Sequence, residues 1–222
     1  MGERELLVML ESGTEPSLNL KREEEIFESV EGGVLPETVR LWINEPCLVR
    51  GRARSKRYGW YDETVAEERG VRVLERSTGG GVVYHDLGNL NWSFFLRTSG
   101  GFLSPRAVFE SVSRYIVEAL LRLGLPARFA PPNRIDVNNT KVSGMAARAT
   151  VHTLLVHGTL LIESDIGMLD KLCIPPPGYP RVSNLSDWKN GICAAEVATS
   201  LLEVLKTEGF TLKVVGSLGP IR

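Results

Sequence analysis

Short strand-like runs, amphipathic helices set among them at irregular intervals, and an Asn-Asn hairpin signal predict an α+β domain. Its core is expected to be a mixed, largely antiparallel sheet flanked by helices. A doubly wound parallel sheet fits less well, because the chain lacks regular strand–helix alternation.

The elements follow in chain order. A first helix is expected over residues 18–30, with Leu20, Phe27 and Val30 on one face and the charge run Lys21, Arg22, Glu23, Glu24 and Glu25 mostly in solvent. Strand signals cover 39–43, 71–76, 81–84 and 91–96, with a short helix over 62–69. The second long helix has the clearest bounds. Ser104 caps it, Pro105 suits its first turn, Phe109, Val112, Ile116, Ala119 and Leu123 form the buried stripe, and Gly124 ends it. Strands 134–137 and 141–148 are joined at Asn138-Asn139, since Asn tolerates positive φ. A strand over 153–162 and a short helix over 165–172 follow. The last helix, 194–206, turns Val197, Leu201, Val204 and Leu205 inward and stops at Gly209.

Composition bounds the rest. The chain has 222 residues, 43% hydrophobic and 24% charged, which suits one sizeable core and a single domain over 1–222. A formal net charge of −1 gives no basic field for nucleic acid or a membrane surface. The start, MGERELLVMLESG, has early acidic residues and no apolar run long enough for a leader or a membrane span. Cys47, Cys173 and Cys193 lack CxxC spacing, so neither a disulfide framework nor a zinc site is indicated, and a reducing cytoplasm is expected.

The stretch from Arg76 to Asn91 carries the most chemistry. Gly79, Gly80 and Gly81 remove every Cβ, so a ligand can lie against the backbone and meet its N–H groups. Arg76 precedes them with a head suited to a carboxylate or phosphate. A strand resumes after the loop, and neither a Walker lysine nor GxGxxG is present. A mobile hairpin turn is the plain alternative. Against it, His85, Asp86, Asn89 and Asn91 place polar groups in what would otherwise be core strand, where each needs a partner. A second constellation is Lys141, Ser143, Gly144 and Arg148, followed by His157, Gly158 and Thr159. Lys141 opens a strand, where an inward ammonium is costly without an anion. A solvent-facing lysine and a hydrogen-bonded structural histidine are the simpler readings of Lys141 and His157.

In order, these segments resemble the lipoate–protein ligase family of the biotin/lipoate ligase and octanoyltransferase superfamily. The resemblance runs from Pro16–Phe27 through Leu41–Asn44, Arg76–Asn89, Lys141–Arg148 and His157–Leu161 to Arg181–Leu185. It implies the biotin/lipoate ligase catalytic-domain fold and an acid–amine ligase that forms an acyl-adenylate. Lipoate attacks MgATP to give lipoyl-AMP, and a carrier lysine then takes the acyl group. The implied carrier is the lipoyl domain of a 2-oxoacid dehydrogenase or a glycine cleavage protein. Carried over residue by residue, Lys141 is the catalytic group, touching carboxyl and phosphate oxygens. Arg76, Gly79, Gly80, Gly81, Val82, Val83, Tyr84, His85, Asn89, Asn133, Gly144 and Thr159 bind lipoate or ATP. Val83 and Met145 are expected at the apolar slot for the dithiolane.

The chain departs from the family pattern in places. Arg134 stands where the family has a metal-binding Asp, which leaves Asp136, two residues on, as the candidate metal ligand. Gly51-Arg52-Ala53-Arg54-Ser55 replaces a Gly-Arg-x-Gln-Asn segment, and Pro175-Pro176-Pro177-Gly178-Tyr179-Pro180 stiffens a loop expected near the adenylate. The small C-terminal accessory domain of many ligases is not found within residues 1–222, so a separate accessory polypeptide is expected. Two alternatives stay open: a thiol-dependent octanoyl or lipoyl transferase using Cys173, and a non-catalytic protein that holds lipoate or lipoyl-AMP.

Overall fold

The computed structural model describes residues 4–52, 60–98 and 104–219. In chain order they form β1 (Arg4–Leu10), α1 (Pro16–Glu31), β2 (Thr38–Trp42), β3 (Cys47–Arg50), α2 (Glu63–Glu68), β4 (Arg72–Glu75), β5 (Val82–His85) and β6 (Asn89–Arg97). Then come α3 (Pro105–Arg122), β7 (Ala127–Ala130), β8 (Arg134–Val137), β9 (Thr140–Ala149), β10 (Thr153–Leu161), α4 (Ile166–Leu172), α5 (Ala194–Thr207) and β11 (Phe210–Gly216). A large sheet of eight strands has the order β11-β1-β2-β6-β10-β9-β8-β7, and a small one has the order β4-β3-β5. Pairing is parallel at β1–β11, β1–β2 and β3–β4 and antiparallel elsewhere. The mixed, largely antiparallel α+β architecture is therefore as expected. The β8–β9 hairpin turns through Asn138 at φ 47° and Asn139 at φ 65°.

One face of the large sheet holds the main core. There Leu41, Trp92, Phe94 and Val156 pack against α3 and α5. Ser104 Oγ accepts from the Ala107 N–H at 3.2 Å and starts α3. Its buried stripe is Val108, Val112, Tyr115, Ile116, Ala119 and Leu120, turned slightly from the expected one, so Phe109 and Leu123 are only partly covered. α5 buries Val197, Leu201, Val204 and Leu205 as its periodicity requires.

On the opposite face α1 lays Ile26, Phe27 and Val30 against Leu7, Met9, Phe95 and Leu155. Glu23 belongs to that stripe, one turn before Phe27, and is 2% exposed; it is not part of a solvated charge run. The small sheet packs Leu48 and Tyr84 on Ala66 of α2 and Leu172 of α4.

Candidate active site

Beyond α1, that same face of the large sheet and the small sheet enclose a cleft. Its floor is set by register: Trp42 pairs with Asn91, Asn91 with Thr159, and Thr159 with Gly144, a row running across β2, β6, β10 and β9. Side chains two apart along a strand share a face, so His157 and Ala146 join this row and all line the cleft. The roof is Val49 and Arg50 of β3 with Gly80 through Val83, and Trp60 closes one side. A chamber of about 810 Å³ results, and a smaller, largely apolar one of about 270 Å³ lies beside it. Lys141, Gly144, Thr159, Trp60, Val82, Val83 and Tyr179 border both.

Buried polar groups in the floor form two chains of hydrogen bonds, and in the first the direction is fixed. Arg40, fully buried and paired with Glu11 at 2.6 Å, donates to Asn19 Oδ1, so Asn19 Nδ2 must donate to Asn44 Oδ1. Asn44 Nδ2 then faces His85 Nδ1 at 3.0 Å, which makes that nitrogen the acceptor and places the proton on Nε2. His85 Nε2 donates to Thr159, whose hydroxyl donates to Asn91 Oδ1 at 2.6 Å. Burial, with Arg76 and His157 adding to it, pushes the His85 pKa down to about 3, so the ring is neutral.

The second chain crosses from α1 to the glycine loop. The Glu23 carboxylate accepts from His157 Nδ1 at 2.9 Å and from Ser93 Oγ at 2.6 Å. Burial alone would favour the neutral acid, but His157 and Ser93 hold Glu23 below the usual carboxylate range. His157 Nε2 and Thr78 Oγ1 share a hydrogen bond of 2.7 Å, and Thr78 Oγ1 accepts from Arg76 Nε at 3.0 Å.

Arg76 lies at the cleft, but its donors are directed at the loop itself. It donates to Thr78 Oγ1, Val49 O, Gly79 O and Gly81 O, which leaves one N–H unused among these contacts. Burial brings its pKa down to about 10. The expected anion clamp is thus foremost a brace for the glycine turn, where Gly80 has φ +105° and a Cβ on Gly81 would come within 2.7 Å of the Trp60 ring. Lys141 crosses over bare backbone: a Cβ at Gly144 would lie 2.9 Å from Nζ. The ammonium donates to the Tyr179 hydroxyl.

Other expected residues are distributed as follows. Gly80, Gly81, Val82, Val83, His85, Asn133, Gly144 and Thr159 border the larger chamber, and Tyr84 the smaller. Asn133 Nδ2 donates to Met145 O at 2.6 Å. Met145 packs in the main core and also borders the larger chamber. Gly79 and Asn89 border neither. Asn89 Nδ2 donates to Tyr84 O, and its Oδ1 accepts from Ser164, so it ties the strand after the loop to the segment beyond β10.

Asp136 does not fit the expected role of metal ligand. It is 1% exposed and borders neither chamber, and its oxygens pair with Arg134 at 2.9 Å and Arg128 at 3.3 Å. Among the described residues no cluster of three His, Cys, Asp or Glu is placed to hold a metal. Cys173 borders the smaller chamber, and burial pushes its thiol up to about 11. Of the altered 51–55 segment, residues 53–55 lie outside the described residues. Glu23, Thr78, Trp60 and Tyr179 were not anticipated as site residues. Helical spacing from Ile26 and Phe27 marks position 23 as inward, whereas Trp60 and Tyr179 reach the cleft from irregular segments that carry no periodic signal.

Known proteins match this architecture. The model of the lipoyl protein ligase A/B catalytic domain covers residues 15–206. Lipoate-protein ligase LplJ of Bacillus subtilis is 34% identical over 154 residues, 68% of this chain and 44% of that protein. Lipoate-protein ligase A of Psychrobacter cryohalolentis is 28% identical over 215 residues, 90% of this chain and 60% of its own length. The chain thus spans about half the length of the curated relatives it matches. A crystal structure of lipoate-protein ligase A bound with ATP superposes with a TM-score of 0.82 at 24% identity, covering 97% of this chain and 90% of that one. A bi-partite lipoate protein ligase from Thermoplasma acidophilum, described with its E2 lipoyl domain, gives 0.80 at 22% identity, covering 96% and 88%. At these identities the two structures speak for the fold, and the match over 15–206 settles the family: the chain belongs to the lipoyl protein ligase A/B catalytic domain family.

Proposed function

We propose that this chain is a lipoate–protein ligase catalytic unit: it joins lipoate to AMP and passes the lipoyl group to a lysine of a carrier lipoyl domain. One observation carries the reading. Lys141 borders both chambers, its ammonium lies over the bare backbone of Gly144, and Gly80 and Gly81 line the larger chamber that it faces. Two anionic reactants approaching from either side would have their repulsion offset there by a fixed positive charge. The relatives are named lipoate ligases, and neighbouring structures are described with ATP and with lipoic acid bound.

The chambers suit different halves of the intermediate. Among the described residues β5 pairs only with β3, which leaves one edge of Val82–Tyr84 without a strand partner; these residues border the smaller chamber, and such an edge suits the rim of a purine base. The larger chamber runs to Leu20 and Trp42, an apolar end suited to a dithiolane tail, with Val83 beside it. In the first step a lipoate oxygen attacks the α-phosphorus and pyrophosphate leaves. Lys141 bridges the acid oxygen and an α-phosphate oxygen while charge develops between them. In the second step the carrier amine attacks the acyl carbon and AMP leaves. On this reading magnesium would enter with ATP as MgATP, where it would neutralise phosphate charge.

The carrier is proposed to be the lipoyl domain of a 2-oxoacid dehydrogenase or a glycine cleavage protein, and a separate accessory polypeptide to complete the enzyme. A thiol-transfer reading remains the second choice because Cys173 shares the smaller chamber with Lys141, although its raised pKa leaves little thiolate at neutral pH. Lipoate-dependent ATP–pyrophosphate exchange tests both. Wild type and Cys173→Ala are expected to exchange equally, and Lys141→Ala to lose about 10²–10³-fold. Exchange that is absent from the wild type both alone and with a candidate accessory protein, or unaltered in Lys141→Ala, overturns the ligase reading.

A further inference from the structure

The proline-rich segment that departs from the family pattern delivers one aromatic residue to the reactive lysine, and its geometry indicates a task. Tyr179 Oη accepts a hydrogen bond from Lys141 Nζ, and the ammonium lies 4.6 Å from the ring centre. The ring meets Trp60 edge-on, centroids 6.0 Å apart and planes at 83°. The same segment also grips the Lys141 backbone: Lys141 N donates to Arg181 O at 2.9 Å, and Ser183 N donates to Lys141 O at 3.0 Å. Gly144 leaves the room in which the lysine side chain lies flat.

We propose that Tyr179 is a positioning residue that fixes the rotation of the Lys141 ammonium throughout the adenylation step. The reasoning is donor arithmetic. A lysine ammonium has three N–H donors and no acceptor. The adenylation step uses two of them, one on the acid oxygen and one on an α-phosphate oxygen. With the third held by Tyr179, two remain for the reactants at a residue that borders both chambers, and little rotamer freedom is left to lose when they arrive. A phenol is a weaker acceptor than either anion, so it does not compete for the two working donors. Tyr179 thus orients the charge without touching the reacting atoms.

This inference rests on the ligase reading, and the test separates the two. Lipoate-dependent ATP–pyrophosphate exchange is measured for wild type, Tyr179→Phe, Lys141→Ala and the double variant, with thermal unfolding alongside. Tyr179→Phe keeps the ring against Trp60 and removes only the acceptor. The expected result is a kcat lower by on the order of tenfold, KM for ATP and for lipoate within about twofold, and an unaltered unfolding midpoint. In the Lys141→Ala background the same substitution is expected to cost nothing more, because its effect passes through the ammonium. A Tyr179→Phe enzyme with wild-type kcat, or one that loses the same factor with and without Lys141, overturns the inference and leaves the ligase reading standing. Wild type without acid-dependent exchange, both alone and with a candidate accessory protein, overturns both.

Discussion

At the scale of single residues, the site depends on side chains whose protonation and orientation are set by neighbours far along the chain. His85 is the clearest case. Arg40 fixes Asn19, Asn19 fixes Asn44, and the Asn44 amide leaves His85 Nδ1 no role except acceptor. A second proton on that ring would face a donor, which agrees with a pKa near 3 against an ordinary 6.5. Because the folded value lies below the unfolded one, the stability that His85 contributes is fully present above about pH 6.5. It is lost as pH falls toward 3, amounting to roughly 2 kcal/mol by pH 5. Urea midpoints measured at pH 7 and pH 5 are therefore expected to fall more for wild type than for His85→Gln, and equal falls would contradict this account. Sequence alone named His85 but not its tautomer, because its partners Asn44 and Thr159 are 41 and 74 residues away.

At the scale of elements, the glycine turn and the strands around it form one mechanical unit. Arg76, at the end of β4, reaches the carbonyl of Val49 in β3 and those of Gly79 and Gly81 before β5. One side chain thereby ties three strands of the small sheet to the loop they present. Arg76→Leu would strip a donor from several half-buried carbonyls at once. It is expected to lower unfolding free energy by about 2–3 kcal/mol and to raise KM for ATP, and Arg76→Lys should rescue little, since an ammonium lacks the planar fork. Chemical unfolding together with exchange kinetics checks both halves, and an Arg76→Leu protein of wild-type stability would return the residue to a direct anion clamp.

This element also shows where the sequence was legible. The Gly79–Gly81 turn, the hairpin at Asn138-Asn139 and the capped helix from Ser104 announce themselves through local chemistry. β1, β3, β7 and β11 were not anticipated. β1 is buried from Leu6 through Val8, a continuous apolar run with no alternation, and short runs of that kind do not declare strand over helix. The division into two sheets was illegible for a related reason: which strand pairs with which depends on contacts between distant segments.

At the scale of the whole molecule, the cleft is formed between two sheets, and among the described residues Trp60 and Tyr179, the latter 38% exposed, stand at one side of it. On the proposed ligase reading, an acyl adenylate held there would be a mixed anhydride, and water would compete with the carrier lysine for its acyl carbon. Whatever covers that opening while the carrier docks raises the yield of amide over hydrolysis. A separate polypeptide supplying such a cover is the accessory partner proposed above. The decisive comparison is intact-mass lipoylation of a lipoyl domain by this chain with MgATP and lipoate, with and without a candidate accessory protein, while AMP release is followed in parallel. With the partner, product lipoyl domain is expected to rise on the order of tenfold and AMP released per lipoyl group transferred to fall toward parity, as hydrolysis is suppressed. A chain that alone lipoylates its carrier at the same initial rate, with parity already reached, has no need of a second body.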